Sequence, residues 1–219
     1  MLRARLEEVE NRIERAAVRA GRRRGDITLI AVTKVFPAEV IRDAYAQGVR
    51  HFGENYVQEF EAKFPLVADL PGAEFHLIGH LQSNKAKRAA ELFHVIETVD
   101  SLKLARRLSD AGKKLSVMIE VKLSGEGSKS GVEPDQLPQL VEELSAVPNI
   151  ELTGLMTMPP WSEDAELSRP YFRRLRRLAG EVGLRDLSMG MSHDLETAIE
   201  EGATHVRVGT ALFGPRTKA

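Results

Sequence analysis

Cysteine is absent from the 219 residues. That removes disulfides, thiolate metal sites and cysteine nucleophiles together, and it fits a reducing compartment. Neither sign of charge is in excess: lysine plus arginine total 31 against 32 acidic residues, so no global field draws the chain to nucleic acid or to an anionic membrane. Apolar runs of membrane-spanning length are also lacking. The amino terminus, MLRARLEEVENRIERAAVRAGRRR, is charged throughout and has no apolar signal-peptide core, so a cytoplasmic protein is expected. No proline-rich linker, low-complexity tract or composition shift divides the chain, and residues 1–219 are expected to form one domain. Missing as well are a Gly-x-Ser-x-Gly elbow, a phosphate-binding GK[ST] loop and a glycine fingerprint after the first strand.

What is present alternates. Leu2, Leu6, Val9, Ile13, Ala16, Ala17 and Ala20 recur at helical spacing, with Gly21 as a stop. The stretch ITLIAVTK (27–34) is apolar and β-branched, as a strand buried on both faces of a parallel sheet must be. Seven more strands are expected at 49–55, 75–79, 94–99, 115–123, 150–155, 184–189 and 205–208. Helical patterns fill the gaps: one opened by Pro37 and stopped by Gly48, others at 56–67, 84–92 and 134–146, one capped by Ser101, one through Phe172, Leu175 and Leu178, and one at 192–201. Strictly alternating strands and helices make a parallel sheet, and eight strands close it into a (β/α)8 TIM barrel with an extra amino-terminal helix. An open doubly wound sheet is the fallback, disfavoured by the missing glycine fingerprint.

Lys34 stands at the carboxyl end of the first strand, where such folds carry their chemistry. The ends of strands seven and eight, the usual phosphate site of a barrel, read Ser188-Met189-Gly190-Met191-Ser192 and Val208-Gly209-Thr210. Arg207 lies inside a strand between Val206 and Val208, so it points into the barrel or at the helix layer and needs a partner in either place. Glu120 or Glu54 could serve, as could a bound ligand. A phosphorylated aldehyde held as an imine would use lysine, phosphate loop and arginine together, and a barrel aldolase acting on a sugar phosphate would use the same set. The basic runs Arg22 to Arg24 and Arg173, Arg174, Arg176, Arg177 have the pattern of solvated faces, without the interleaved aromatics of a nucleic-acid site. His76 and His80 stand on a strand and beyond Gly79, which removes the helical face a zinc pair of that spacing needs.

The stretches AVTK (31–34), FGENYVQE (52–59), HLIGHLQSNK (76–85), GLMTM (154–158) and LSMGMSHDLETAIEEGATHVRVGTALFG (187–214) resemble the pyridoxal-phosphate-binding YggS/PROSC family of cofactor homeostasis proteins. That family is similar to the barrel domain of alanine racemase, which shares the Arg-x-Gly arrangement of Arg207-Val208-Gly209. The resemblance implies that Lys34 forms the Schiff base with pyridoxal 5'-phosphate, that Ser192, Gly209 and Thr210 hold the phosphate, that Arg207 faces the pyridine nitrogen and that Asn55 neighbours the ring. Phe36 stands where many relatives have a second lysine, and Lys129 matches a further family lysine in a solvated loop.

An amine must be neutral to attack an aldehyde, so Lys34 needs desolvation or a nearby positive charge. Arginine at the pyridine nitrogen disfavours protonation there and weakens the ring as an electron sink. Racemases of the related fold take a second base, a tyrosine, from another domain, whereas this chain ends soon after its eighth strand and Tyr45, Tyr56 and Tyr171 fall on helical patterns. The expectation is a monomeric carrier or regulator of pyridoxal phosphate, with apo pyridoxal-phosphate enzymes as partners and no metal. A racemase using Lys34 as its single base is the alternative.

Overall fold

A computed structural model of the chain describes residues 1–124 and 130–215, and Lys129 lies outside them. Eight parallel strands close into a barrel in chain order, with the last pairing back onto the first. They are β1 (Thr28–Val32), β2 (His51–Glu54), β3 (Glu74–Leu77), β4 (Val95–Val99), β5 (Leu115–Glu120), β6 (Ile150–Met156), β7 (Asp186–Met191) and β8 (His205–Val208). The crossovers are α2 (Ala38–Ala46), α3 (Val57–Lys63), α4 (Ala86–Leu92), α5 (Leu102–Ser109), α6 (Leu137–Ser145), α7 (Arg169–Glu181) and α8 (Leu195–Glu200). The amino-terminal helix α1 (Leu2–Arg19) precedes the barrel, and a short helix α9 (Thr210–Phe213) follows β8.

Alternation along each strand sorts side chains between two cores. Leu29, Ala31, Phe52, Phe75, Leu77, Val117, Ile119, Val206 and Val208 join the layer between sheet and helices. Phe60 of α3 brings that layer together, its ring 4.7 Å from both Phe75 and Phe93. The intervening residues Ile30, Val32, Ile78, Val95, Met118 and Met156 are buried inside the barrel with the polar His76, Glu97, Ser188 and Arg207. Arg207 therefore takes the inward of its two possible directions.

Several boundaries differ from expectation. β1 stops at Val32, and Lys34 sits in the turn beyond it rather than on the strand. Helical residues 56–67 resolve into α3 and a 3-10 turn at Phe64–Leu66, because Pro65 has no N–H for an α-helical bond. Tyr56 caps α3 in extended backbone rather than lying in the helix. β5 ends at Glu120, after which Val121 makes a lone bridge to Val132. α8 begins at Leu195, since Asp194 accepts a bond from the Met191 N–H and keeps residues 191–194 in a turn. No helix among the described residues is long and apolar enough to cross a membrane. Of the basic run on α7, Arg173 and Arg176 pair with Glu201 and Arg177 with Glu181.

Candidate functional site

The turn that carries Lys34 is fastened from below. Thr33 donates its hydroxyl to Glu54 at 2.8 Å, and the buried Lys63 ammonium donates to the Thr33 carbonyl at 3.0 Å. Lys63 also pairs with Glu54 at 2.9 Å and with Glu59 at 2.6 Å, and Glu59 accepts the Val35 N–H at 2.6 Å. Burial raises the Glu54 carboxyl's pKa, and Lys63 opposes that rise. Val35 is held at φ +62°, a left-handed conformation that a β-branched residue adopts only under constraint. Lysine, carboxylates and a strained turn thus hold Lys34 at the end of β1.

Two strands away along the barrel wall, the turn after β7 presents Ser192. Its hydroxyl accepts the N–H groups of Gly209 at 3.3 Å and Ala211 at 3.2 Å, which ties the β7 loop to the start of α9. A helix amino terminus leaves N–H groups unpaired, and a short extra helix after the eighth strand is a recurrent anion cradle in this fold. Gly190 makes the loop possible: it has φ +90°, and a Cβ there would collide with the Cβ of Ala198.

Arg207 is buried and donates to the Ser188 hydroxyl at 2.7 Å and to the Thr157 carbonyl at 2.9 Å. Ser188 donates onward to Glu97 at 2.6 Å, and His76 lies 2.8 Å from the other oxygen of that carboxylate. The sequence-based partners are thereby corrected. Glu54 is committed to Thr33 and Lys63, Glu120 acts on Arg207 only through its field, and Glu97 is the carboxylate reached through Ser188. Burial lowers the Arg207 pKa while Glu97, Asp194 and Glu120 counter it. Burial alone would raise Glu97, but the His76 hydrogen bond, with His76 and Arg207 nearby, brings it down to about 2. Two opposite charges are thus buried together, with both Glu97 oxygens and both terminal Arg207 nitrogens bonded, the arrangement that makes such burial tolerable.

Lys34, Asn55, Ser192, Arg207, Gly209 and Thr210 all line one cavity of about 530 Å³. Val32, Ile78, Met158, Trp161, Met191, His193 and Ala211 complete its wall, none of them expected as a cofactor ligand. The Asn55 side-chain oxygen is buried with no hydrogen-bond partner among the described residues. Gly79 allows that position, because a Cβ there would strike the Asn55 backbone. Phe36 points elsewhere and packs on Phe213, ring centroids 5.4 Å apart. Among the described residues no tyrosine lines the cavity. Glu97 was legible by the argument applied to Arg207, a lone charge within an apolar strand; Met158 and Trp161, on a loop, gave no such signal.

A lysine after the first strand of a closed parallel barrel lines one cavity with a serine, a glycine and a threonine from beyond the last two strands, the place where barrels of the α/β class recurrently bind phosphate. The family described as alanine racemase, N-terminal domain, matches residues 5–217. The pyridoxal phosphate homeostasis protein of Pseudomonas aeruginosa is 48% identical over 96% of this chain and 94% of its own, and that of Aquifex aeolicus 46% identical over 97% of each. The chain belongs to this family of pyridoxal phosphate homeostasis proteins, built on the alanine racemase amino-terminal barrel. The structure of Synechococcus elongatus PipY with pyridoxal phosphate bound superposes with a TM-score of 0.85 at 38% identity, covering 98% of this chain and all of that one (100%). An alanine racemase of Clostridium difficile, 16% identical, shares the fold with a TM-score of 0.75 over 99% of this chain and 57% of its own.

Proposed function

We propose that this chain binds pyridoxal 5'-phosphate in the 530 Å³ cavity and acts as a carrier or regulator in the homeostasis of that cofactor. The observation that carries the proposal is the convergence of an amine, an anion cradle and a guanidinium on one cavity whose wall holds an unpartnered buried oxygen, Asn55 Oδ1. The volume lies in the range of cofactor and small-molecule pockets. Bound there, pyridoxal phosphate supplies an aldehyde for attachment and an electron-withdrawing ring. Lys34 is the point of covalent attachment. Ser192, with the backbone of Gly209 and Thr210, binds the phosphate, and Asn55 orients the ring. Arg207 presents N–H groups and a positive charge, so it keeps a proton off any nitrogen it faces.

The names of the relatives and the bound cofactor of PipY support this reading. Exposed Val35, Tyr56, Met158 and Trp161 near the mouth suit contact with apo-enzymes that receive the cofactor. The test is a titration with pyridoxal phosphate followed by visible absorbance. Wild type is expected to take up one equivalent with a shifted band, and Lys34→Ala to lose that band while keeping its fold. A band that survives in Lys34→Ala overturns the proposal. Exchange of the α-proton of D- or L-amino acids with solvent deuterium at enzymatic rates would replace the carrier by the racemase.

A further inference from the structure

We propose that the amino-terminal end of the barrel, opposite the cofactor cavity, holds a divalent transition-metal ion of the zinc class on His51, Glu74 and His76. His51 opens β2 and Glu74 opens β3, and the two pair in the sheet, with His76 one inward step further along β3. Inward alternation turns all three to the barrel axis. His51 Nδ1 lies 3.1 Å from His76 Nε2 and 3.7 Å from a Glu74 carboxylate oxygen, and one donor atom from each residue fits within 4.8 Å. Ligands of a tetrahedral zinc bound at about 2.0 Å stand roughly 3.3 Å apart, so the first two separations are close to tetrahedral edges.

The surroundings of His76 are those of a metal ligand. Its Nδ1 meets the fully buried Glu97 carboxylate at 2.8 Å, which holds the proton on Nδ1 and aims the Nε2 lone pair at His51 and Glu74. Glu97 in turn is fixed by Ser188, so the orientation of the imidazole does not depend on the ion. Two imidazoles and a carboxylate form a donor set that zinc, cobalt and nickel accept and that magnesium and calcium do not favour. The His51 and Glu74 side chains are 31% and 50% exposed, which gives an ion an entry path and leaves a fourth position for water. The four-residue spacing of His76 and His80 does not reveal this set, because His51 comes from the neighbouring strand, Glu74 stands two residues before His76 on β3, and His80 faces solvent.

The full-length protein, titrated with cobalt(II) chloride and then zinc, tests the site. One equivalent of cobalt is expected to develop the intense visible bands of tetrahedral coordination, which zinc then abolishes. His51→Ala and Glu74→Gln, both at partly exposed positions, are each expected to weaken binding by at least about tenfold, while His80→Ala leaves it unchanged. Failure of wild type to bind one equivalent overturns the proposal. So does binding that survives both ligand variants, or that falls equally in His80→Ala. The cofactor titration of Lys34→Ala reads the other end of the barrel, so the two proposals fail separately.

Discussion

At the scale of single residues, the pair that matters most beneath the cavity is Lys63 with Glu54. The Glu54 side chain is fully buried (0% exposed) and Lys63 nearly so at 9%. Replacing Lys63 by Met leaves a buried carboxylate without its counter-charge and frees the Thr33 carbonyl, and the expected cost is about 3 kcal/mol in urea unfolding, with weaker cofactor binding alongside. An unchanged midpoint would show that the clamp does not support the turn of Lys34. Gly190→Ala is expected to destabilise comparably, because φ +90° and the Ala198 contact penalise any side chain there. Arg207 was legible in the sequence because a charge in an apolar strand has few places to go, and Lys34 because it follows the carboxyl end of the first strand. Lys63 was not, since a lysine at the end of an amphipathic helix ordinarily faces water and only the fold turns this one inward.

At the scale of elements, α1 does more than pack against α8 and α9. Arg12 holds Glu196 through two bonds of 2.6 and 2.8 Å and donates to the Ser192 carbonyl at 3.0 Å, so the helix reaches into the loop proposed to bind the phosphate. Arg12→Ala is expected to cost about 1–2 kcal/mol of stability and to weaken phosphate binding severalfold, as calorimetry with inorganic phosphate would read. Loss of stability without loss of phosphate affinity would separate α1 from the site. The strand and helix count follows from hydrophobic period alone, whereas α9 was missed: four residues, TALF, are too few to show a period. Ser192 was expected to open a helix at 192–201; the structure starts that helix after Asp194 and turns the serine hydroxyl toward the Gly209 and Ala211 N–H groups.

At the scale of the molecule, ion pairs join the outer helices across the seam of the barrel. The Arg169 hydrogen bond lowers Glu200; for Glu201 and Glu196 burial acts upward, but arginine bonds outweigh it and lower both. Carboxyls depressed in the folded state bind protons first in the unfolded one, so they stabilise above the ordinary value of 4.5 and lose that contribution as pH falls through their lowered folded values. Thermal unfolding midpoints are expected to hold from neutrality to about pH 5 and drop below it, with a shallower drop in Arg169→Ala. A closed barrel was legible from eight buried strand patterns, and its mouth from the residues that end them; the network of His76, Glu97 and Ser188 joining its two ends was not, because it depends on which strands become neighbours across the interior. The most direct measurement is borohydride reduction of the protein with pyridoxal phosphate, followed by peptide mass spectrometry. The account predicts one cofactor per chain, on the peptide containing Lys34. A label on any other lysine, with Lys34 unmodified, would contradict it.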